Sequence, residues 1–533
     1  MKIISKISGV ALVALLLSVT SCKNDFESIN DPWDQPTSAS TPEIFNAVVS
    51  SLPLTGGEQS VMNSWLYPIT QQATVVGSAY PFNNANGALW ENYYYTLGNV
   101  RILEDRIAKS ADPASMNNLS AMIKTIMAYK SFKMTNYFGS LPYKDAGYAA
   151  LAGEKGTQVY KAVYNTQEEI YTDILANLKW SVDNFSTNAN QVSLGSYETL
   201  FKGDISAWVK FANSLRLYIA VTMYDKNTAL ATTHITEALA KPLLDSNVGM
   251  WPSNITGLTF QWREWSFSAN CYLRFGSTMW NLMASNENPD GSGIFDPRAK
   301  VFYESNNAGT WAAYPQNPTA NTRSEGGLPY DKKRYTDWAN KGAGNLYSPF
   351  NLYFEQDITS IPELILTKAQ VHFIKAEVYN RGLGVAANAA TAKTEYEAGI
   401  KSSVDMWKGI AVASPVWVVN KPAAATATTA EMTALLAAPA VAYNTASLST
   451  ALKQIYAQLW IDQFRQPWDS WTLKRRTGDL TPMATSNTQF YQTNFGSFQR
   501  FVYPGTEQQY NGDNWKLAMG GSDSESTKLW ITK

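Results

Sequence analysis

The sequence predicts a mainly α-helical protein built from helix pairs, with a long irregular region rich in aromatic residues and few short strands. Three observations predict this class. Several long segments carry apolar residues at helical spacing, and residues typical of helix ends bound these segments. Between about residues 250 and 350 the helical pattern is lost, while Gly, Asn, Pro and aromatic residues are frequent. Disordered segments are poor in aromatic residues, so we expect this region to be ordered.

The predicted helices are recognised by their ends. They span Trp90 to Lys109, from Pro113 to a stop at Gly139, Ile205 to Met223, about Ala389 to Trp407 with Gly409 as the stop, and Leu448 to Phe464 with Pro467 as the stop. Two more begin at capping boxes, in which Ser or Thr precedes Glu by three positions. Thr166 and Glu169 open a helix through Val182, and Ser360 and Glu363 open one that ends at Gly382.

Helix pairs joined by short loops are typical of a tetratricopeptide-like scaffold, and the segment from Glu363 to Trp407 fits it best. The repeats are irregular, because no clean 34-residue period is present. Thr256 to Trp262 and Phe267 to Leu273 are the strongest strand candidates, as a short hairpin. The Ala- and Thr-rich stretch from Lys421 to Ala446 is low in complexity and is predicted to be a surface loop.

The N-terminus has the pattern of a lipoprotein signal peptide. Lys2 and Lys6 precede an apolar run, and small residues lead directly to Cys22. The run is about half the ~20 residues that a membrane-spanning helix needs. Residues 1–21 are therefore predicted to be the signal peptide, 22–40 a lipidated tether, and 41–533 one helical domain, with the region 250–350 inserted between helix pairs. Plain secretion with an incidental Cys22 is the alternative.

Charge and motifs exclude several classes of function. A net charge of -1 without a basic run gives no electrostatic support for nucleic-acid binding. His234 and His372 are the two histidines, and no common metal or nucleophile motif is present. Asp290 and Asp296 lie in an oxygen-rich stretch that lacks the spacing of a calcium loop. We therefore predict no cofactor, and a structural calcium ion has no support in the sequence.

Aromatic residues in loops are the candidate ligand contacts. A sugar ring has an apolar face on which Trp or Tyr can stack, and a polar rim that Asn, Arg or carboxylates can bind. The candidates are Tyr80, Phe82, Asn83, Trp262, Arg263, Trp265, Trp311, Tyr314 and Trp338. The alternative is that these rings pack beneath their loops. The residues Trp90, Trp180, Trp208, Trp407 and Trp460 lie at core spacing on helices and are predicted to be packing residues.

Six short motifs follow one another along the chain. They are Trp90–Tyr93, the YFGSLPY run at 137–143, Asp296–Arg298, Pro362-Glu363 with Ala376-Glu377, the WTLKRRTG run at 471–478 and the RFVYPGTE run at 500–507. In this order, behind a lipidation signal, they resemble the SusD/RagB family of nutrient-binding outer-membrane lipoproteins, in its SusD-like branch. Ser140 departs from the family, which often has Asp at that place.

The resemblance implies a mostly helical fold and a lipoprotein on the extracellular face of the outer membrane. It implies capture of oligosaccharides, or in some members oligopeptides, by the lid of a SusC-like TonB-dependent transporter, without catalysis. Charged residues cluster in the C-terminal motifs at Arg475, Arg476 and Glu507. We expect them to form structural ion pairs with the helices rather than ligand contacts.

Two other classes of function stay open. A surface glycosidase needs two carboxylates, roughly 5 Å apart for retention or roughly 6.5–9.5 Å apart for inversion, and no motif points to such a pair. A structural or adhesive surface protein would bury its aromatic residues in helices and expose no platform. The aromatic loops favour a glycan ligand over a peptide.

Overall fold

The computed structural model describes residues 39–75, 86–251, 273–286, 288–306, 308–316, 346–351, 360–417, 420–482, 497–520 and 522–533. Within these ranges the protein is mainly helical, with short strands, which confirms the predicted fold class. No helix in these ranges is both long and apolar enough to cross a membrane. Cys22 and the tether up to residue 38 lie outside the described residues, so their lipidation stays a prediction.

Among the described residues, the α-helices of the first half of the chain are α1 (Thr41–Val49), α2 (Gly56–Val61), α3 (Tyr67–Thr70), α4 (Asn86–Ala108), α5 (Asn117–Phe138), α6 (Ala152–Lys155), α7 (Gln167–Asn184), α8 (Ile205–Met223) and α9 (Thr228–Leu239). Those of the second half are α10 (Ser277–Met283), α11 (Ala299–Phe302), α12 (Lys368–Arg381), α13 (Ala389–Ala413), α14 (Thr429–Ala437), α15 (Leu448–Asp462), α16 (Pro467–Thr477), α17 (Gly505–Tyr510) and α18 (Gly512–Met519). The bounds of α8 are those predicted. The capping box at Thr166 is confirmed, with its hydroxyl accepting from the Glu169 amide.

Packing of helices in pairs confirms the tetratricopeptide-like scaffold. Helix α5 packs on α7, α8 on α9 and α12 on α13, while α8 also contacts α7 and α12. The pair α12 and α13 makes a close approach at Gly399, where a Cβ atom would lie 2.7 Å from the ring of Phe373. Glycine at this position therefore permits the spacing of the two helices.

Within the described ranges, the strands form three two-stranded antiparallel ladders. Strand β1 (Thr74–Val75) pairs with β5 (Leu273–Arg274), β2 (Leu141–Pro142) with β3 (Tyr164–Asn165), and β4 (Val248–Met250) with β6 (Glu363–Leu366). The predicted hairpin lies at 252–272, outside the described residues, except for Leu273. That residue pairs with Val75 of β1.

The predicted helix start at Ser360 is wrong. Glu363 to Leu366 form strand β6, whose residues are all buried, and the helix begins at Lys368. Thr367 is the N-cap, in a capping box with Gln370. Four consecutive buried residues suit a strand covered on both faces, and the pairing with β4 overrides the local capping pattern.

Two predicted helix ends and one predicted loop also differ from the structure. Helix α13 continues past Gly409 to Ala413. Pro467 begins α16 rather than only ending α15, because proline fits the first helical turn, where its missing N–H costs no hydrogen bond. The stretch 421–446 contains α14, which Thr428 caps and which buries Leu435.

Stacked aromatic rings fill the core where the irregular region meets the C-terminal helices. Phe275 stacks on Tyr303 with ring centroids 4.0 Å apart, and Phe302 stacks on Phe464 at 3.9 Å. Nearby, Arg298 forms a buried ion pair with Asp296, with Nη2 and Oδ2 2.6 Å apart. The described part of the region is thus packed into the body of the protein.

Of the five tryptophans predicted to pack on helices, four are buried and Trp180 is partly exposed.

A buried ion cluster joins the C-terminal helices to α12. Arg476 of α16 donates to both carboxylate oxygens of Glu377, at 2.9 and 2.7 Å. Tyr456 and Arg381 also donate to Oε1 of Glu377, at 2.7 and 2.9 Å. The predicted structural ion pair of Arg476 is therefore confirmed. Arg475 instead donates to the Gln499 carbonyl oxygen at 2.9 Å, with its guanidinium over a tryptophan ring.

Residues near the two ends of the chain complete each other's hydrogen bonds. The indole N–H of Trp460 donates to the Thr70 carbonyl oxygen at 2.9 Å. The amide of Gln72 donates to the Trp460 carbonyl oxygen at 2.7 Å and to the Ser470 hydroxyl at 2.9 Å. The segment that follows α3 is therefore held by residues about 390 positions later in the chain.

Candidate functional site

Most of the predicted ligand contacts lie outside the described residues. These are Tyr80, Phe82, Asn83, Trp262, Arg263, Trp265 and Trp338. Trp311 is 6% exposed and Tyr314 is fully buried, with its ring 4.9 Å from that of Tyr347. Neither ring presents an open face in the described part of the chain. As ligand contacts, all nine residues stay predictions.

A groove of about 520 Å³ lies elsewhere, between α4, the loop after β2 and α17. Its floor contains Trp90 of α4, whose ring contacts Phe138 and Tyr503 edge-on with centroids 5.3 and 5.5 Å apart. Tyr94 packs on Trp90 and donates to the Pro142 carbonyl oxygen at 2.9 Å. Ring contacts and this hydrogen bond therefore fix Trp90 and Tyr94 in place without a ligand.

The first wall is one face of α4. Tyr95, Gly98, Asn99 and Ile102 line the groove at helical positions i, i+3, i+4 and i+7. Asn99 donates to the Tyr95 carbonyl oxygen at 3.0 Å. This contact uses only its amide N–H₂, so its side-chain oxygen can accept a hydroxyl from a ligand.

The second wall is the loop 142–162, which Arg101 fastens to α4. The Arg101 guanidinium donates to the carbonyl oxygens of Tyr143, Lys144 and Ala146, at 2.9, 3.0 and 3.1 Å. Gly147 has a φ of 85°, and a Cβ atom there would lie 2.8 Å from Leu97. The loop can therefore lie against the helix only with glycine at this position.

The third wall carries Glu507 and Tyr510 of α17 and the following Asn511. The Asn511 amide donates to Glu507 Oε1 at 2.7 Å and to the Ala162 carbonyl oxygen at 2.9 Å. Burial raises the pKa of the Glu507 carboxyl, although the hydrogen bond from Asn511 counters the rise. Glu507 was expected in an ion pair, but no basic partner within the described residues pairs with it.

Three tyrosines at the groove expose their rings to solvent. Tyr95 is 60%, Tyr160 58% and Tyr510 68% exposed. Burial of a large aromatic side chain is energetically favourable. Exposed rings gathered around one groove therefore indicate a binding surface. Beside them lie a carboxylate, two amides and small wall residues, so the groove combines apolar ring faces with hydrogen-bonding groups.

Sequence reasoning missed this groove because its walls are separated by about 400 residues. One local signal was available. Tyr93, Tyr94 and Tyr95 are consecutive on a helix, where neighbouring side chains point about 100° apart. At least one of the three must therefore point away from the core. The structure buries Tyr93 and exposes Tyr95.

A family model described as "Starch-binding associating with outer membrane", of the SusD-like type, matches residues 37–504. Among solved structures, a chitin-binding protein is 20% identical, with a TM-score of 0.69, covering 92% of this chain and 99% of its own. A SusD homologue from Parabacteroides distasonis is 19% identical, with a TM-score of 0.67 over 92% and 98%. A chitin-binding SusD homologue from Flavobacterium johnsoniae is 20% identical, with a TM-score of 0.63 over 92% and 97%. No curated protein sequence matches. The chain belongs to the SusD-like family.

Proposed function

We propose that this protein is a glycan-binding lipoprotein of the outer membrane that captures oligosaccharides for uptake and has no catalytic activity. The observation that carries the proposal is the groove, in which Tyr95, Tyr160 and Tyr510 expose their rings beside Glu507 and Asn99. Sugar rings match this arrangement, because their C–H faces stack on aromatic rings while their hydroxyls bond to carboxylates and amides.

The comparisons support a carbohydrate ligand. The family description names starch binding and association with the outer membrane. Two of the similar solved structures are named as chitin-binding. The lipidation pattern at Cys22 supports attachment to the membrane. The resemblance to SusD/RagB proteins supports a position on the extracellular face, as the lid of a SusC-like TonB-dependent transporter.

Isothermal titration tests the glycan-binding role. The protein is titrated with maltohexaose, with an N-acetylglucosamine hexamer and with a pool of tryptic peptides. We expect a glycan to bind and each of Tyr95→Ala, Tyr160→Ala and Tyr510→Ala to weaken binding about two- to tenfold, because an aromatic contact is worth roughly 0.5–1.5 kcal/mol.

Tyr197→Ala is the matched control, since Tyr197 is 40% exposed and does not line the groove. Its carbonyl oxygen accepts from Asn46, a bond that alanine retains. Equal loss in the control and the groove variants would refute the groove as the site. Binding of the peptide pool without binding of any glycan would replace the oligosaccharide function with oligopeptide capture.

The membrane role has a separate test in cells. Cys22→Ala should leave glycan binding by the purified protein unchanged while abolishing retention at the cell surface, because the anchor and the groove are different parts of the chain. Affinity purification of the lipidated protein should recover a TonB-dependent transporter. Retention of the Cys22→Ala protein at the surface would contradict the lipid anchor.

A further inference from the structure

Resting on the glycan-binding function proposed above, we infer that the groove prefers oligosaccharides of amino sugars with free, protonated amino groups, and that Glu507 binds the ammonium group. The starting observation is the charge of the walls. Among the described residues that line the groove there is no Lys, Arg or His, and Glu507 is the one charged residue. An acidic sugar would meet this carboxylate without any cation to balance it.

Two basic residues on the surrounding elements, Arg101 and Lys161, are directed elsewhere. Arg101 lies behind the loop, where it donates to three carbonyl oxygens and to Glu104 at 2.8 Å. Lys161 follows Tyr160 in the chain, but it is exposed and does not line the groove. Neither forms an ion pair with Glu507 among the described residues, and no basic side chain lines the groove.

Glu507 is held in place for such a contact. Asn511 donates to its Oε1 atom and is itself fixed by the Ala162 carbonyl oxygen and by Asn514, whose amide donates to Asn511 Oδ1 at 2.9 Å. The carboxylate is also partly withdrawn from water, which raises its pKa. A carboxylate that is partly withdrawn from water, with few hydrogen bonds from the protein, attracts a cation more strongly than a fully solvated carboxylate does.

The exposed rings favour the same chemistry. Tyrosine faces attract cations through the negative potential of the ring, and they also stack on the C–H face of a sugar. An amino sugar offers both features in one residue, whereas a neutral sugar offers only the second. Small residues of the loop, among them Ala149 and Ala150, line the same groove as Tyr160.

The experiment compares three oligomers by isothermal titration at pH 6 and low salt: a glucosamine hexamer, an N-acetylglucosamine hexamer and a galacturonic acid hexamer. We expect the glucosamine hexamer to bind about tenfold more tightly than the N-acetylated one, a difference of about 1.4 kcal/mol. The galacturonic acid hexamer should bind at least tenfold more weakly than the N-acetylated one. Raising NaCl to 0.5 M should reduce the preference for glucosamine, because salt screens the ion pair.

Glu507→Gln keeps the shape and the hydrogen-bonding oxygen but removes the charge. It should abolish the preference for the glucosamine hexamer over the N-acetylated hexamer. Asp513→Asn is the matched control, because Asp513 is exposed on the adjacent helix and does not line the groove. The control should keep the preference, and thermal melting should establish that both variants are folded.

Failure of the inference and failure of the function give different results. Equal or tighter binding of the N-acetylated hexamer would overturn the amino-sugar preference and leave glycan binding intact. An unchanged preference in Glu507→Gln would also overturn it. Absence of binding by all three hexamers and by maltohexaose would overturn both proposals, and so would binding of a lysine-rich peptide alone.

Discussion

Replacing Glu377 by Gln should strongly destabilise the protein, because it removes the anion at the centre of the buried ion cluster. The Glu377 side chain is fully buried and that of Arg476 is 4% exposed, with Nη2 and Oε2 2.7 Å apart. Without the carboxylate, Arg476 would remain buried and charged. Leaving one partner of a buried ion pair uncompensated costs about 3–5 kcal/mol.

The titration of Glu377 gives an independent magnitude. Burial by itself would raise the pKa of Glu377, but the charge and hydrogen bonds of Arg476, followed by the charge of Arg381, lower it to about 2. Against a value of about 4.5 in the unfolded chain, at about 1.4 kcal/mol per pKa unit, the carboxylate contributes about 3 kcal/mol. This stabilisation is complete above pH 4.5 and is lost as the pH falls towards 2.

Urea denaturation at several pH values measures both effects. At pH 7 the free energy of unfolding of Glu377→Gln should lie about 3–5 kcal/mol below that of the unmodified protein, and the deficit should shrink by about 3 kcal/mol between pH 4.5 and pH 2. Glu397→Gln is the control, because Glu397 forms a partly exposed pair with Lys393 on one helix, worth about 0.3–0.5 kcal/mol. A deficit no larger than that of the control, or one that does not change with pH, would refute the reasoning.

Two further changes test packing and buried charge. Gly399→Ala should lower the free energy of unfolding by about 1–3 kcal/mol, since the new Cβ atom would lie 2.7 Å from the Phe373 ring. The control Gly153→Ala should be neutral or slightly stabilising, because no atom lies within 4 Å of its new Cβ atom. Equal urea midpoints for the two variants would contradict the close approach of α12 and α13. Lys130 is buried, and burial lowers its pKa to about 7. Between about pH 7 and pH 10 its amine is therefore mostly neutral in the folded protein but protonated in the unfolded chain. Because the unfolded chain binds more protons, the free energy of unfolding rises with pH in that range. Lys130→Met should remove this rise, by up to about 1.4 kcal/mol per pH unit, and a pH dependence identical to that of the unmodified protein would contradict the assignment.

Helices with complete local signals were predictable from the sequence. Thr166 and Glu169 cap each other within four residues, so the start of α7 depends on nothing distant. Glu363 shows the limit of this reasoning. Its strand is fixed by β4, which lies more than 100 residues earlier, and no local pattern contains that pairing.

The candidate groove depends even more on distant residues. Glu507 faces Tyr95 across the groove only because α17 and α4 are brought together by the fold, with Asn86 donating to the Val502 carbonyl oxygen at 2.8 Å. Local sequence clusters instead favour pairs such as Trp262 and Trp265, which are three positions apart. Exposure of a ring is a property of the assembled surface, so Tyr95, Tyr160 and Tyr510 were not separable from core tyrosines by sequence alone.

The hydrogen bonds between Thr70, Gln72 and Trp460 bear on the order in which the chain folds. A ribosome or a translocation channel delivers the N-terminus first. The hydrogen-bond partners of the Thr70 carbonyl oxygen and the Gln72 side chain emerge only about 390 residues later. Contacts this far apart in sequence are slow to form. The segment that follows α3 therefore reaches its native hydrogen bonding only after α15 and α16 have been made.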